Sequence, residues 1–491
     1  MRRATPAINT EVRSRLTLKP TCAHSSGPDV VNDVHSRLNA TRVRSIVDVR
    51  VITDARDAIV DAAPNEYICI AGARHGMGGQ QFLEDGILLD TRRFDRVIGL
   101  DHDRGLVEVE AGIQWPALIR ELGVRQCERA ARWTIRQKQT GTDNLSIGGA
   151  LAANVHGRGL TMRPFIDDVE SFTIVDARGA LRRCSRSENR ELFRLAIGGY
   201  GLFGFIATVT LRLTRRQRLR RVVELVRSHR LAAAFAERIA TGAHYGDFQF
   251  AIDPDSPDFL DHGILSTYHP VTGAHRECEN TLELNAEQWR QLLFLAHTDK
   301  SRAFDLYAQH YLATSGQLYR SDAHQLAFYS AGYHGEVGPG SEMITEIYVP
   351  RASLAGYLQA AAEELRRSRA DVVYGTVRLI ERDSESFLAW ATEPWACIVL
   401  NLHVDHTESG VARAADSFRR LIDLATARGG SYYLTYHRWA TRAQLEACHP
   451  RFGEFLRLKQ QYDPGELFQS EWYRHHRDLF RAELESVRDV A

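Results

Sequence analysis

The spacing of apolar residues changes along the chain. Between about 43 and 213, short apolar runs alternate with short amphipathic ones. "EYICIAG" (66–72) and "GILLDT" (86–91) have the form of buried strands that feed loops. In "GLVEVEAG" (105–112), Val107, Val109 and Ala111 alternate with Glu108 and Glu110, which predicts a strand with one wet face. "WPALIRELG" predicts a helix with Pro116 in its first turn and Gly123 at its end. Residues 169–185 read as a hairpin turning near Arg178 and Gly179. "SENRELFRLAIGG" predicts a short helix, capped by Ser187 and stopped at Gly198 and Gly199, and 203–213 a strand.

After Leu213 the pattern lengthens. "RRQRLRRVVELV" reads as a charged passage into a second region. There 352–369 and 411–430 predict long amphipathic helices, with a strand at 395–406 between them. The expected fold class is α+β, with four parts. These are a poorly ordered leader (1–30), a first domain (31–213), a second α+β domain (214–430) and a C-terminal segment (431–491).

Composition narrows the function classes. A chain of 491 residues is too long for one core. Lys plus Arg and Asp plus Glu are both 62, so no basic surplus points to nucleic acid as a partner. The seven cysteines are scattered and form no C-x-x-C pair, which suggests reduced thiols and a cytoplasmic setting. No apolar run approaches the ~20 residues that span a bilayer, and no apolar signal core follows the N-terminal arginines. The histidines of "HVDH" and the pair His475-His476 are too sparse for a metal site, and none is expected.

Three glycine loops stand out: 71–79, 139–159 and 198–204. Backbone N–H groups freed by glycine can cradle a diphosphate, and the second loop adds threonine, serine, asparagine and histidine without fixed charge. The third, "GYGLFG", matches G-x-G-x-x-G with Glu224 twenty residues on. A nicotinamide-binding fingerprint needs a strand before it and a helix after it. Here the order is reversed, which speaks against a nicotinamide dehydrogenase.

In order along the chain, "AGARHGMGG", "SIGGALAANVHGRG", "GGYGLFGFIATVTLRL" and "YDPGELFQSEWY" resemble the FAD-binding fold of the vanillyl-alcohol oxidase / para-cresol methylhydroxylase superfamily. Within it the chain looks most like the aldonolactone oxidase, alditol oxidase and decaprenylphosphoryl-ribose oxidase branches. The resemblance implies a two-part FAD-binding domain of the PCMH type with a cap over the flavin. It implies diphosphate contacts from Arg74, Gly76, Gly78 and Gly79 on one side, with Met77 and Gln80 also binding the cofactor, and from Gly141, Thr142, Ser146, Gly148 and Gly149 on the other. Asn154, His156 and Gly157 would approach the flavin, Ile206, in the closing strand, would present its backbone to the adenine or ribose end, with Gly204 also among the cofactor-binding residues, and Gln469 would meet the pyrimidine edge or the substrate. Two of the three branches carry a histidine where His75 stands, bonded to the flavin 8α-methyl group, so His75 implies covalent FAD.

The resemblance also implies oxidation of a CH–OH group of a sugar-, polyol- or lactone-like small molecule, with oxygen or another electron acceptor. Candidate catalytic residues are Glu346, Arg378, His403, Tyr436 and His437. In the ribose-oxidase branch a lysine follows the double glycine by six residues. Here that position is Tyr436, a departure that puts that substrate in doubt. Two alternatives stay open: a lipid-linked or nucleotide-linked sugar oxidase with non-covalent FAD, and a flavin-binding protein without turnover.

Overall fold

The computed structural model describes residues 29–272, 282–323 and 339–488. The expected leader falls almost wholly outside them, as do Cys22 and Cys278. The five cysteines among the described residues are free thiols. Among the described residues, no helix is long and apolar enough to cross a membrane.

The first region builds two sheets. Ile87–Asp90 pairs in parallel with Ser45–Asp48 on one side and Ile68–Ala71 on the other. The second sheet is antiparallel and five-stranded. Its order is Leu181–Ser185, Val169–Val175, Phe205–Arg212, Leu106–Glu110 and Val97–Asp101. The hairpin turns as expected, with Gly179 at φ +73°. In Leu106–Glu110, Val107 and Val109 are buried, but the expected wet face is only half wet. Glu110 is buried as well, with its carboxylate held by Arg96.

Two helix ends differ from expectation. Trp115–Arg125 runs two residues past Gly123, where nothing crowds the missing side chain and no left-handed turn is required. The helix at Arg190–Ala196 begins after a left-handed Asn189, while the Ser185 hydroxyl takes the amides of Ser187 and Glu188.

The second region is one eight-stranded antiparallel sheet. Its order is Leu318–Arg320, Arg218–Arg227, His262–Val271, Tyr245–Phe250, Asp371–Ile380, Trp395–Val404, Ser341–Pro350 and Ser431–Tyr432. The stretch read as a charged passage is thus a ten-residue strand, paired along its whole length with His262–Val271. Helices Leu354–Ser368 and Glu408–Thr426 cover one face of the sheet. Thr407 caps the latter, and Phe418, Leu421, Ile422 and Ala425 form its buried stripe, each of the larger ones contributing about 1.5–3 kcal/mol. The opposite face turns toward the first region.

Ser431–Tyr432 closes the edge of this sheet, and the chain then returns to the first region. Phe468 bridges to Ile68, and Gln469 N–H donates to the Ile68 carbonyl.

Candidate active site

A cavity of about 520 Å³ lies between the three glycine loops and the free face of the eight-stranded sheet. Strand period two decides which side chains face it. Ile344 and Glu346 project from one strand, Val399 and Asn401 from the next, and Tyr374 and Arg378 from the third. Thr345, Ile347 and Leu400 point the other way into the core.

The loops approach each other closely. A side chain at Gly72 would meet Ser146 Oγ at 2.2 Å, and one at Gly148 would meet Ala111 at 2.9 Å. The Gly148 amide donates to the Ala111 carbonyl, and the Gly149 amide to Ser146 Oγ. These two glycines therefore serve close packing of the loop, and their amides are already engaged. Gly204 sits at φ +141°, and an added Cβ would lie 2.4 Å from the Val175 carbonyl oxygen. A helix precedes this third loop and a strand follows it, which is the reversed order that argues against a nicotinamide fingerprint.

Of the expected cofactor residues, Arg74, His75, Gly76, Met77 and Gln80 line the cavity from the first loop. Gly141, Thr142, Ser146, Gly148, Gly149 and His156 line it from the second, and Gly204 and Ile206 from the third. Arg74 is left-handed at φ +63° and its guanidinium is tied to Asp90 at 3.1 Å. His75 Nδ1 stands 2.8 Å from His35 Nε2. Thr140 Oγ1, on the second loop, is buried at the cavity without a hydrogen-bond partner among the described residues. Such an orphaned hydroxyl, between loops that a side chain would block, fits a bound polar group such as a dinucleotide diphosphate.

Seven expected residues do not line the cavity. Gly78 packs under the Thr435 carbonyl, and its amide donates to Gln80 Oε1. Gly79 is left-handed and faces Arg438 and Asn39. Asn154 is fully buried after a helix, where its side chain joins Asp383 to the Ile166 amide. A Cβ at Gly157 would strike the Lys138 carbonyl at 2.6 Å. Gln469 bonds the Glu466 carbonyl and Arg474. His403 lies behind Glu342, 3.3 Å from its carboxylate. His437 is packed with Tyr432, Trp439 and Phe418, and burial pushes its imidazole down to about 3, so it is a neutral core group.

The other three catalytic candidates, Glu346, Arg378 and Tyr436, meet at the cavity wall. Glu346 is 2% exposed. Its Oε1 lies 2.7 Å from His156 Nε2, and its Oε2 accepts from the Tyr436 hydroxyl at 3.4 Å. His156 Nδ1 lies 3.0 Å from the Gly157 carbonyl, which can only accept, so that nitrogen carries a proton. The Nε2–Oε1 contact must then hold a second proton. Burial would raise the Glu346 carboxyl, but His156 beside it holds it below the usual carboxylate range. Arg378 is buried, and its Nε has no partner among the described residues.

Several cavity residues escaped the sequence reading: His35, Arg158, Arg221, Asp247, Gln249, Tyr374 and Asn401. For two of them a signal existed. "YGDFQF" alternates Asp247 and Gln249 with phenylalanines on a strand whose every residue is buried. Polar residues on a buried strand face either a partner or a ligand.

Residues 45–185 match the model of the FAD binding domain. The chain thus carries an FAD binding domain in its first region. An uncharacterised oxidoreductase from the fasciation locus of Rhodococcoides fascians is 32% identical over 193 residues, 39% of this chain and 41% of that protein. The L-gulono-1,4-lactone dehydrogenase of Mycobacterium tuberculosis is 22% identical across 79% of this chain and 86% of its own length. A mitochondrial L-galactono-1,4-lactone dehydrogenase of Oryza sativa is 30% identical over 27% of this chain and 21% of its own.

Proposed function

We propose that this oxidoreductase removes two hydrogens from a CH–OH group of a sugar-, polyol- or lactone-like small molecule. Residues 31–213 hold the FAD, 214–430 form the cap, and 431–491 return to the flavin. The observation that carries the reading is the buried Glu346–His156 pair opening onto a cavity walled by the glycine loops. The names of the lactone dehydrogenase relatives support the substrate class.

FAD, when bound, supplies a two-electron acceptor that takes a hydride at N5. The remaining work falls to side chains. The Glu346 carboxylate accepts the substrate hydroxyl proton, and His156 keeps it ionised before the substrate arrives. Arg378 Nε and Asn401 Oδ1, both buried without partners among the described residues, orient the substrate oxygens. Tyr436 steadies the second oxygen of Glu346. His75 anchors the flavin covalently.

The test is anaerobic flavin reduction by a panel of alditols, aldonolactones and 2-hydroxy acids. Bleaching of the flavin bands by one of these classes is expected. A spectrum unchanged by every compound would leave a flavin-binding protein without this turnover.

A further inference from the structure

The cavity is much longer than a single sugar. Glu346 and Arg221 border it from strands five steps apart in the sheet order, about 24 Å along the sheet at ~4.8 Å per step. Between them its two walls differ. The sheet side is polar, with Asp247 and Gln249 on one strand and Tyr374 on the next, and Gln249 Oε1 is buried without a partner among the described residues.

The other wall is apolar. Helix Ala286–Thr298 presents Trp289, Leu292, Leu293 and Ala296, an i, i+3, i+4, i+7 stripe. Helix Lys300–Ala313 presents Phe304 and, three residues on, Tyr307. Such stripes normally pack on another element. Here they face the cavity.

At the far end lies a guanidinium without an ion pair among the described residues. Arg221 is only 8% exposed. Its guanidinium donates to the hydroxyls of Tyr268 and Thr314 and lies over the rings of Tyr311 and Tyr319. No carboxylate of the described residues lies within ion-pair distance of it, whereas neighbouring Arg158 has Asp247 at 3.4 Å. Glu283 also borders this end, beyond ion-pair distance. A buried cation is stable when paired, and one at a cavity wall can take its partner from a ligand.

We propose that this end binds the tail of a conjugated substrate, an apolar or aromatic stem ending in a single carboxylate held by Arg221. A single guanidinium without an ion pair among the described residues matches a monoanion rather than a phosphate dianion. The assignment rests on the reading that the oxidised CH–OH group lies at Glu346, which leaves the stem and its anion to fill the part of the cavity between the sheet and the two apolar helices.

The test is calorimetry on the FAD-loaded protein with 3-phenylpropionate, its neutral amide and phenylethyl phosphate. The carboxylate is expected to bind at least ten-fold more tightly than the amide and more tightly than the phosphate. Arg221→Gln should erase that difference, and Arg221→Lys should keep part of it. Flavin content and melting temperature identify a variant that has misfolded. Should Arg221→Gln misfold, screening takes its place: the wild-type preference for the carboxylate should shrink with rising salt.

Equal affinity for carboxylate and amide, no binding of either, tighter phosphate binding, or a preference that survives in folded Arg221→Gln would each overturn the proposal. Because binding is read without turnover, the outcome separates from the proposed activity. An Arg221-dependent preference with no reduction by any CH–OH donor would sink the oxidation reading and leave this subsite standing.

Discussion

His35 and His75 meet through ring nitrogens, Nε2 of the first standing 2.8 Å from Nδ1 of the second. They come from segments forty residues apart, and the contact fixes the ring of His75 at the cavity wall. A covalent flavin requires such a fixed ring. Acid-precipitated protein should stay yellow, and His75→Ala should release free FAD into the supernatant while the far-ultraviolet circular dichroism stays unchanged. A colourless wild-type pellet would mean that FAD is held without a bond. His35→Ala should slow the attachment, which a time course of acid-stable flavin after adding FAD to apoprotein would read.

The Glu346–His156 pair makes a kinetic prediction. Glu346→Gln keeps the size of the side chain but removes the proton acceptor. The flavin reduction rate should fall by at least ~10²-fold while substrate affinity changes little, the usual contribution of a positioned base. Stopped-flow under anaerobic conditions separates the two quantities. A rate within three-fold of wild type would remove Glu346 from the chemistry.

Three buried histidines tie stability to pH. Burial pushes His437 and His476 down to about 3 and His449 to about 4. Unfolded, each takes a proton near 6.5. Above that value both states are neutral and the contribution is complete. As the pH falls from about 6.5 toward 4, the unfolded chain alone binds protons, and each histidine removes about 1.4 kcal/mol per pH unit. Asp168 works against this: burial pushes its carboxyl up to about 7, so the folded state gains one proton over the same window. The net effect is loss of stability on acidification. Urea midpoints at pH 7, 5.5 and 4.5 should decrease in that order, and a flat series would contradict the burial of these rings.

Two glycine substitutions should act in opposite directions. Gly204→Ala puts a Cβ 2.4 Å from a carbonyl oxygen at a left-handed φ, and should cost ~1–3 kcal/mol and lower the flavin content. Gly123→Ala lies within a helix with nothing inside 4 Å of the new methyl, and should stabilise by ~0.5–1 kcal/mol with flavin content unchanged. Thermal melts with flavin quantitation check both.

The sequence revealed the glycine loops, the hairpin and the long helices, because each is specified locally by period, cap or turn. It concealed strand Arg218–Arg227, whose alternating arginines look like a solvated run until His262–Val271 pairs with it. His403 and His437 lie off the cavity for reasons that only the fold shows. His403 shares the parity of Val399 and Asn401 but sits farther along the strand, beyond Glu342, and aromatic packing holds His437 in the core. His156 and Glu346, by contrast, lie 190 residues apart, and only the fold brings them together.

The return of the chain from the edge strand Ser431–Tyr432 also sets an order of assembly. The first glycine loop is pinned from behind by the Thr435 carbonyl, which accepts from Gln80, and by the Trp472 amide, which donates to Gly79. That loop and its support at Thr435 are 355 residues apart in sequence. Cofactor capture therefore waits for the segment that returns from the second region.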